Sequence, residues 1–152
     1  MAGWILIVGA DSSENWALGR GDGIWATKKS RPFKTGDDLF FWQAGSGLIA
    51  TAVALSDSLS SAEYDYRSLP WPDRWGFREQ VRENEIYKSI VEMRVLKETS
   101  PLSFSWNEVR DALDFRTGAN AAPVQLDDQA SSVAKAWFDT GFGHDQPDIE
   151  MT

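Results

Sequence analysis

The amino-acid sequence predicts a single α+β domain, a small curved antiparallel sheet or partial β-barrel flanked by short helices. Its 152 residues include 42% hydrophobic ones, which is enough for one hydrophobic core. Several short apolar runs are bounded by glycines, as is typical of strands. Helix-start patterns lie near both ends of the chain. We assign residues 1–143 to this domain and residues 144–152 to a polar C-terminal tail.

The first quarter of the chain predicts a strand, a short helix and a second short strand. Residues 4–8 are apolar and β-branched, which favours a strand. A helix is expected to start within residues 12–16, where a serine oxygen can accept free backbone N–H groups, and to end near Gly19. A Gly-Asp-Gly turn leads into an extended piece at residues 24–27, and residues 28–36 form a basic loop.

A β-hairpin is predicted in the middle of the chain. Residues 38–43 and 48–55 are its two strands, and an Ala-Gly-Ser-Gly turn at residues 44–47 joins them. On the second strand, alternate positions hold alanine, so one face of the strand is lined by small side chains. Small side chains let another element, such as a helix, pack closely against that face.

The second half of the chain begins with a long irregular segment, residues 57–85, which contains two prolines and two tryptophans. Residues 86–97 alternate between apolar and charged side chains and predict a strand. Ser105 and Glu108 have the spacing of a capping box, which predicts a helix start. A last helix is expected over residues 126–137.

The composition excludes several kinds of active site. With no cysteine, the chain can form neither disulfides nor thiolate metal sites. The one histidine, His144, falls in the polar tail, which is a poor position for a catalytic triad. We therefore expect a binding domain without metal or cofactor, not an enzyme. The start lacks the features of a signal peptide and no stretch reaches the length of a membrane span, so we expect a cytoplasmic protein without membrane contact.

Charge is distributed unevenly along the chain. The net charge is -8, which disfavours nucleic-acid binding by bulk charge. Residues 16–36, however, contain five basic residues and one acidic residue, whereas residues 126–152 contain one basic and six acidic residues. Two interpretations remain open: an ordinary solvated surface, or a functional basic face.

Trp25 stands directly before the basic loop. Lysine and arginine hold phosphates, and aromatic faces hold a base that has left its stack. We therefore hypothesise a base-binding site at Trp25, which requires that its indole face a solvent-open groove. The alternative is that Trp25 belongs to the hydrophobic core, an assignment that we favour for Trp42. The residues expected to bind phosphates are Lys28, Lys29, Arg31 and Lys34.

The block GIWATKKSRPFKTGDDLFFWQAGSGLIATAVALSD, residues 23–57, resembles the EVE domain, a member of the PUA-like superfamily that is related to YTH domains. The resemblance is carried by a tryptophan before a basic segment, a K-x-G-D step at residues 34–37, an aromatic strand, a glycine turn and a strand of small residues. It implies a PUA-like curved sheet that binds nucleic acid and holds a flipped, modified base in an aromatic cage.

The resemblance also implies which residues form the cage. One cage tryptophan of YTH domains lies in a W-[SA]-[ST] step, which Trp25-Ala26-Thr27 matches. The second is expected after the return strand, where Trp71 and Trp75 are alternatives and Trp71 is slightly favoured. A polar group after the first strand should read the base edge, although helix capping is the alternative role for the serines. The polar candidates at the site are Ser12, Ser13, Asn15 and Thr27.

From this resemblance we expect a reader of modified bases in nucleic acid, with DNA preferred. The candidate bases are 5-methylcytosine, 5-hydroxymethylcytosine and N6-methyladenine. The domain would be the sensing module of a modification-dependent restriction system, with a separate nuclease as its partner. The alternatives are a reader of methylated RNA, a protein- or small-ligand-binding module of the same fold, and an enzyme that uses carboxylates of the long irregular segment.

Overall fold

The computed structural model describes residues 2–9, 13–60 and 88–139. They form an α+β domain in which a six-stranded mixed sheet is curled into a half-barrel and accompanied by short helices. The strands are β1 Gly3–Val8, β2 Ile24–Thr27, β3 Asp38–Gln43, β4 Gly47–Ala54, β5 Ser89–Glu98 and β6 Val124–Leu126. The helices are α1 Ser13–Asp22, α2 Trp106–Leu113 and α3 Asp128–Asp139, with a 3-10 helix at Ala119–Ala121.

The strand order across the sheet is β2-β5-β4-β3-β1-β6. Every neighbouring pair is antiparallel except β1 and β3, which are parallel. The predicted antiparallel sheet is therefore observed, with this one parallel pair as a difference. The parallel pair arises because the chain passes through α1 and β2 before it returns beside β1.

Contacts between distant strands demonstrate the curl of the sheet. Trp25 on β2 and Phe41 on β3 are separated in the sheet by two strands, β5 and β4. In a flat sheet these positions would lie roughly 14 Å apart, three strand spacings of about 4.8 Å. The centroids of the two rings are instead 5.4 Å apart. The sheet must bend until its inner face closes around these side chains.

Each face of the sheet packs into a core of its own. The inner core combines side chains of β1 to β5 with Trp16 of α1. The outer core lies between the sheet and helices α2 and α3 and includes Trp42, Val109 and Phe138. The core assignment of Trp42 is thus confirmed, since this residue is 8% exposed.

The alanines of β4 have a different neighbour from the predicted helix. Ala50, Ala52 and Ala54 point into the inner core, where the bulky rings of Trp25 and Phe41 also lie. A curled sheet has little room on its concave side, so small side chains on a central strand make space for large ones from the strands around it.

The second half of the chain departs from the prediction at one strand. The capping box of α2 is confirmed, because the Ser105 hydroxyl accepts from the Glu108 backbone N–H and the Glu108 side chain accepts from the Ser105 N–H. The last helix begins at Asp128, and the residues before it form β6, which the sequence analysis missed. Three residues are too few to show an alternating pattern, and β6 exists through its pairing with β1. The predicted strand over residues 86–97 is observed from Ser89.

Helix α3 approaches β1 closely where the strand has no side chain. A Cβ atom placed on Gly3 would lie 1.8 Å from the Ser131 hydroxyl oxygen and 3.3 Å from the Phe40 ring. The Ser131 hydroxyl is buried and, among the described residues, has no hydrogen-bond partner. A side chain at position 3 therefore requires that the Ser131 hydroxyl rotate and that α3 or the Phe40 ring shift by a few tenths of an ångström.

We predict that Gly3→Ala lowers the free energy of unfolding by about 1–3 kcal/mol, because α3 or β1 must shift to admit a methyl group. Gly21→Ala is the matched control, since no heavy atom lies within 4 Å of its added Cβ and alanine favours the helix in which Gly21 lies. Urea denaturation of both variants measures the effect. Equal stability of the two variants would show that the close approach of α3 is not required.

Candidate nucleic-acid interface

Trp25 lies in a group of three aromatic rings on the inner face of the sheet. Its ring centroid is 5.8 Å from that of Trp16 on α1 and 5.4 Å from that of Phe41 on β3, and both contacts are edge-to-face. Trp16 and Phe41 also touch each other, with centroids 4.6 Å apart. Edge-to-face pairs are favourable beyond their buried area. We call these three residues the inner aromatic trio.

The open indole that the base-binding hypothesis requires is not observed. Trp25 is 5% exposed, so its ring belongs to the inner core. The cause is the curl of the sheet, which brings β3 and α1 against a strand that the sequence places beside a basic loop. Trp25 therefore lies on the predicted strand that leads into the basic loop, but its indole has no exposed face in this structure.

The predicted polar candidates divide into one described and several undescribed side chains. The Thr27 hydroxyl donates to the backbone carbonyl of Lys29 at 2.8 Å, which fixes the start of the basic loop. Ser13 and Asn15 fall on α1, but their side chains lie outside the described part of the structure. The other candidates that lie outside the described residues are Ser12, Trp71 and Trp75.

Two serines hold the backbone of the basic loop in place. The Ser58 hydroxyl accepts from the Phe33 N–H at 2.8 Å and donates to the Arg31 carbonyl, a contact of 2.5 Å. The Ser89 hydroxyl, at the start of β5, accepts from the Arg31 N–H at 2.9 Å. The segment after β4 and the start of β5 thus fix the backbone of the basic loop. Neither serine was identified from the sequence, because each is distant in sequence from the loop that it holds.

The Arg31 side chain connects the two edges of the curled sheet. Its Nε donates to the Pro123 carbonyl at 3.0 Å, and its Nη2 donates to the Ala121 carbonyl at 3.1 Å. The Lys29 ammonium also donates to a carbonyl of this segment, that of Asn120. The basic loop follows the edge strand β2, whereas residues 120–123 precede the opposite edge strand β6. We call this set of bonds the edge clamp.

The edge clamp changes the expected roles of the four basic residues. Arg31 and Lys29 direct hydrogen-bond donors at backbone carbonyls, so phosphate binding by them remains a prediction that competes with these bonds. Lys28 is exposed, and no described bond engages its ammonium group. Among the four, Lys28 is the best placed to meet a phosphate.

Lys34 is also exposed, but it has an acidic neighbour. The Thr35 backbone N–H and hydroxyl donate to Asp57 Oδ1 at 2.8 and 3.1 Å. These bonds, together with the charge of Lys34, hold the pKa of Asp57 below its ordinary value. The Asp57 carboxylate is therefore negative near Lys34 at neutral pH, which weakens the pull of Lys34 on a phosphate.

The K-x-G-D step has a structural role that the sequence analysis did not assign. Asp37 is 3% exposed, and its Oδ2 accepts from the Trp4 indole N–H at 2.9 Å and from the Lys34 backbone N–H at 3.0 Å. Gly36 adopts a φ of 92°, a conformation that favours glycine. The step thus joins the basic loop to β1 through a buried carboxylate.

Comparison with known proteins gives a fold but no sequence family. No family model matches the chain, and no curated protein matches it in sequence. Among solved structures, the chain is similar to the Mmi1 YTH domain, with a TM-score of 0.59, 13% sequence identity, and coverage of 93% of this chain and 97% of that one.

Two structures solved with RNA are also similar. The mmi1 YTH domain protein in complex with RNA has a TM-score of 0.58 at 16% identity, covering 91% of this chain and 83% of that one. The YTH domain of the Zygosaccharomyces rouxii MRB1 protein, in complex with N6-methyladenosine RNA, has a TM-score of 0.51 at 15% identity, covering 90% and 86%.

These similarities show that the chain has the fold of YTH domains. The predicted PUA-like class is confirmed at this level, because YTH domains are related to the PUA-like fold. The narrower assignment to EVE domains stays a prediction, since none of these three structures is an EVE domain.

We predict that Arg31→Ala lowers the free energy of unfolding by about 1–3 kcal/mol, because the edge clamp loses its guanidinium donors and half-buried carbonyls lose their partners. Lys28→Ala removes the same charge from an exposed position and should change stability by less than about 0.5 kcal/mol. Denaturant unfolding compares the two variants. If both lose the same stability, Arg31 acts only through its charge and the edge clamp is not needed for folding.

Proposed function

We propose that this protein is a reader of methylated RNA, in which the pocket for the methylated base forms at the inner aromatic trio. The observation that supports the proposal most is the fold, which matches YTH domains solved with RNA, one of them with N6-methyladenosine RNA. These matches favour the RNA alternative over the DNA preference of the sequence analysis. They give no support to a nuclease partner or a restriction system, and neither is part of the proposal.

The position of Trp25 supports the location of the pocket. The indole follows α1 on a strand at the edge of the sheet, and the chain leaves that strand directly into the basic loop. An aromatic ring beside exposed positive charge is the combination that holds a base and its phosphates. Because Trp25 is 5% exposed, base binding requires that part of its cover move away. We infer that the RNA-free state is closed.

Lys28 is the phosphate contact in this proposal. It lies three residues after Trp25, it is exposed, and the Thr27 hydroxyl fixes the backbone of its turn. A single lysine attracts phosphates only weakly in a protein whose net charge is -8. Affinity must therefore come largely from stacking and from the methylated base, with a weak dependence on salt.

The first experiment measures the affinity of short single-stranded RNAs with and without one N6-methyladenosine, and of the matching DNA strands, by fluorescence anisotropy. We expect tighter binding of the methylated RNA. Trp25→Phe should reduce the preference for the methyl group about two- to fivefold, because the smaller ring still stacks on the base but covers less of its methyl group. Phenylalanine is chosen because Trp25→Ala would create a large cavity in the inner core.

Trp42→Phe is the matched control. Trp42 is also a buried tryptophan of the sheet, but it lies on the outer face against Trp106. The Trp42→Phe variant should keep the preference for methylated RNA while losing as much stability as Trp25→Phe. Equal affinity for methylated and unmodified RNA, or an equal effect of the two substitutions, would contradict the proposal. Tighter binding of the methylated DNA strand would favour DNA as the ligand, as the sequence analysis expected.

The second experiment tests the phosphate contact through the salt dependence of RNA binding. Lys28→Gln should lower the slope of log affinity against log salt by about 0.7, the value for one contact on a single strand. Lys135→Gln removes the same charge from α3, where Lys135 pairs with Asp38 at 3.1 Å, and should leave the slope unchanged. An unchanged slope for Lys28→Gln would exclude Lys28 from the interface.

A further inference from the structure

Strand β6 forms one edge of the sheet. It pairs with β1 on one side, and no other strand in the described part of the chain pairs with its outer side. The edge clamp engages carbonyls of residues 120–123, just before the strand begins. Within residues 2–9, 13–60 and 88–139 the outer edge of β6 has no strand partner, and such an edge offers backbone hydrogen bonds to an extended segment.

A groove runs along this strand. Its volume is about 820 Å³, and it lies between the end of α2 and the start of α3. Its apolar lining includes the buried Leu113 and Leu126 and the half-buried Phe115. The groove contains none of the residues of the inner aromatic trio or the basic loop. It is therefore a separate surface from the proposed RNA site.

The charge of the groove is negative. Asp114, Asp127 and Asp128 line it and are exposed, whereas no lysine or arginine among the described lining residues does so. The terminal carbonyls of α2 add partial negative charge, whereas the partial positive charge at the start of α3 is met by Asp127, whose Oδ1 accepts from the Ala130 N–H at 2.8 Å. The positive side chains Arg110 and Arg116 line a smaller neighbouring cavity of about 380 Å³. A phosphate backbone is repelled by such a rim, so the chemistry favours a cationic ligand over a second nucleic-acid segment.

We propose that the groove binds an extended segment of a partner protein that alternates apolar and basic residues. The segment adds a strand to the outer edge of β6 through backbone hydrogen bonds. Its apolar side chains lie on the half-buried Phe115 and on the accessible edges of Leu113 and Leu126, and its lysine or arginine side chains reach the three aspartates. Because successive side chains of a strand point to opposite faces, alternation lets one segment satisfy both surfaces.

The probe is an eight-residue peptide of alternating valine and lysine, labelled with fluorescein, with a valine–glutamate peptide for comparison. The lysine peptide should bind, and in NMR spectra it should shift the backbone amides of β6, Val124–Leu126. The double variant Asp114→Asn with Asp128→Asn should weaken binding about five- to tenfold, since each exposed ion pair contributes a modest amount. Asparagine preserves the shape of both side chains and tolerates the left-handed backbone of residue 114, whose φ is 58°.

Asp111→Asn is the matched control, because Asp111 lines the smaller cavity but not the groove. It should leave the peptide affinity unchanged. A lysine peptide whose backbone is N-methylated at alternate residues tests strand addition and should not bind. Equal binding of the lysine and glutamate peptides, of the methylated peptide, or of the double variant overturns the proposal. Amide shifts of β6 caused by unmodified RNA but not by the peptide also overturn it.

Discussion

The edge-to-face contact between Trp25 and Phe41 is the constraint on which the rest of the molecule depends. It joins strands that the sheet places three positions apart, so the sheet must curl to form it. The curl makes alanine the residue that fits on β4 between these rings, and it brings the two sheet edges close enough for Arg31 to bond across them. The same curl removes Trp25 from solvent.

Local pattern in the sequence was sufficient for most of the elements and insufficient for the site. The first hairpin strand is a continuous apolar run, the second hairpin strand and β5 alternate visibly, and the capping box at Ser105 predicts the start of α2. The strand β6 is too short for a pattern. The edge clamp, the Trp4–Asp37 bond and the cover over Trp25 each join residues from distant parts of the chain, so no local rule reports them. The basic loop was predicted from composition, but which of its lysines and arginines the fold uses depends on those long-range partners.

The basic residues of the loop have different partners, which explains how an acidic protein carries a local basic loop. Arg31 and Lys29 serve the fold by binding carbonyls before β6, and Asp57 offsets Lys34. Little positive charge then remains for a nucleic acid. Under the proposed function, such a protein would depend on aromatic contact with the base and would gain little from general attraction to the phosphate chain. In that proposal its specificity and its affinity would have the same source, the inner aromatic trio.

Intermolecular NOEs test most directly whether the methylated base binds at Trp25. They are measured between the N-methyl protons of N6-methyladenosine, in a short RNA, and the side chains of the protein. In the proposed function, that methyl group lies against the Trp25 indole. NOEs from the methyl protons to the Trp25 ring are therefore expected, with the Trp42 ring on the outer face unaffected. Methyl NOEs only to outer-face residues, with the Trp25 resonances unchanged at saturating RNA, would contradict it.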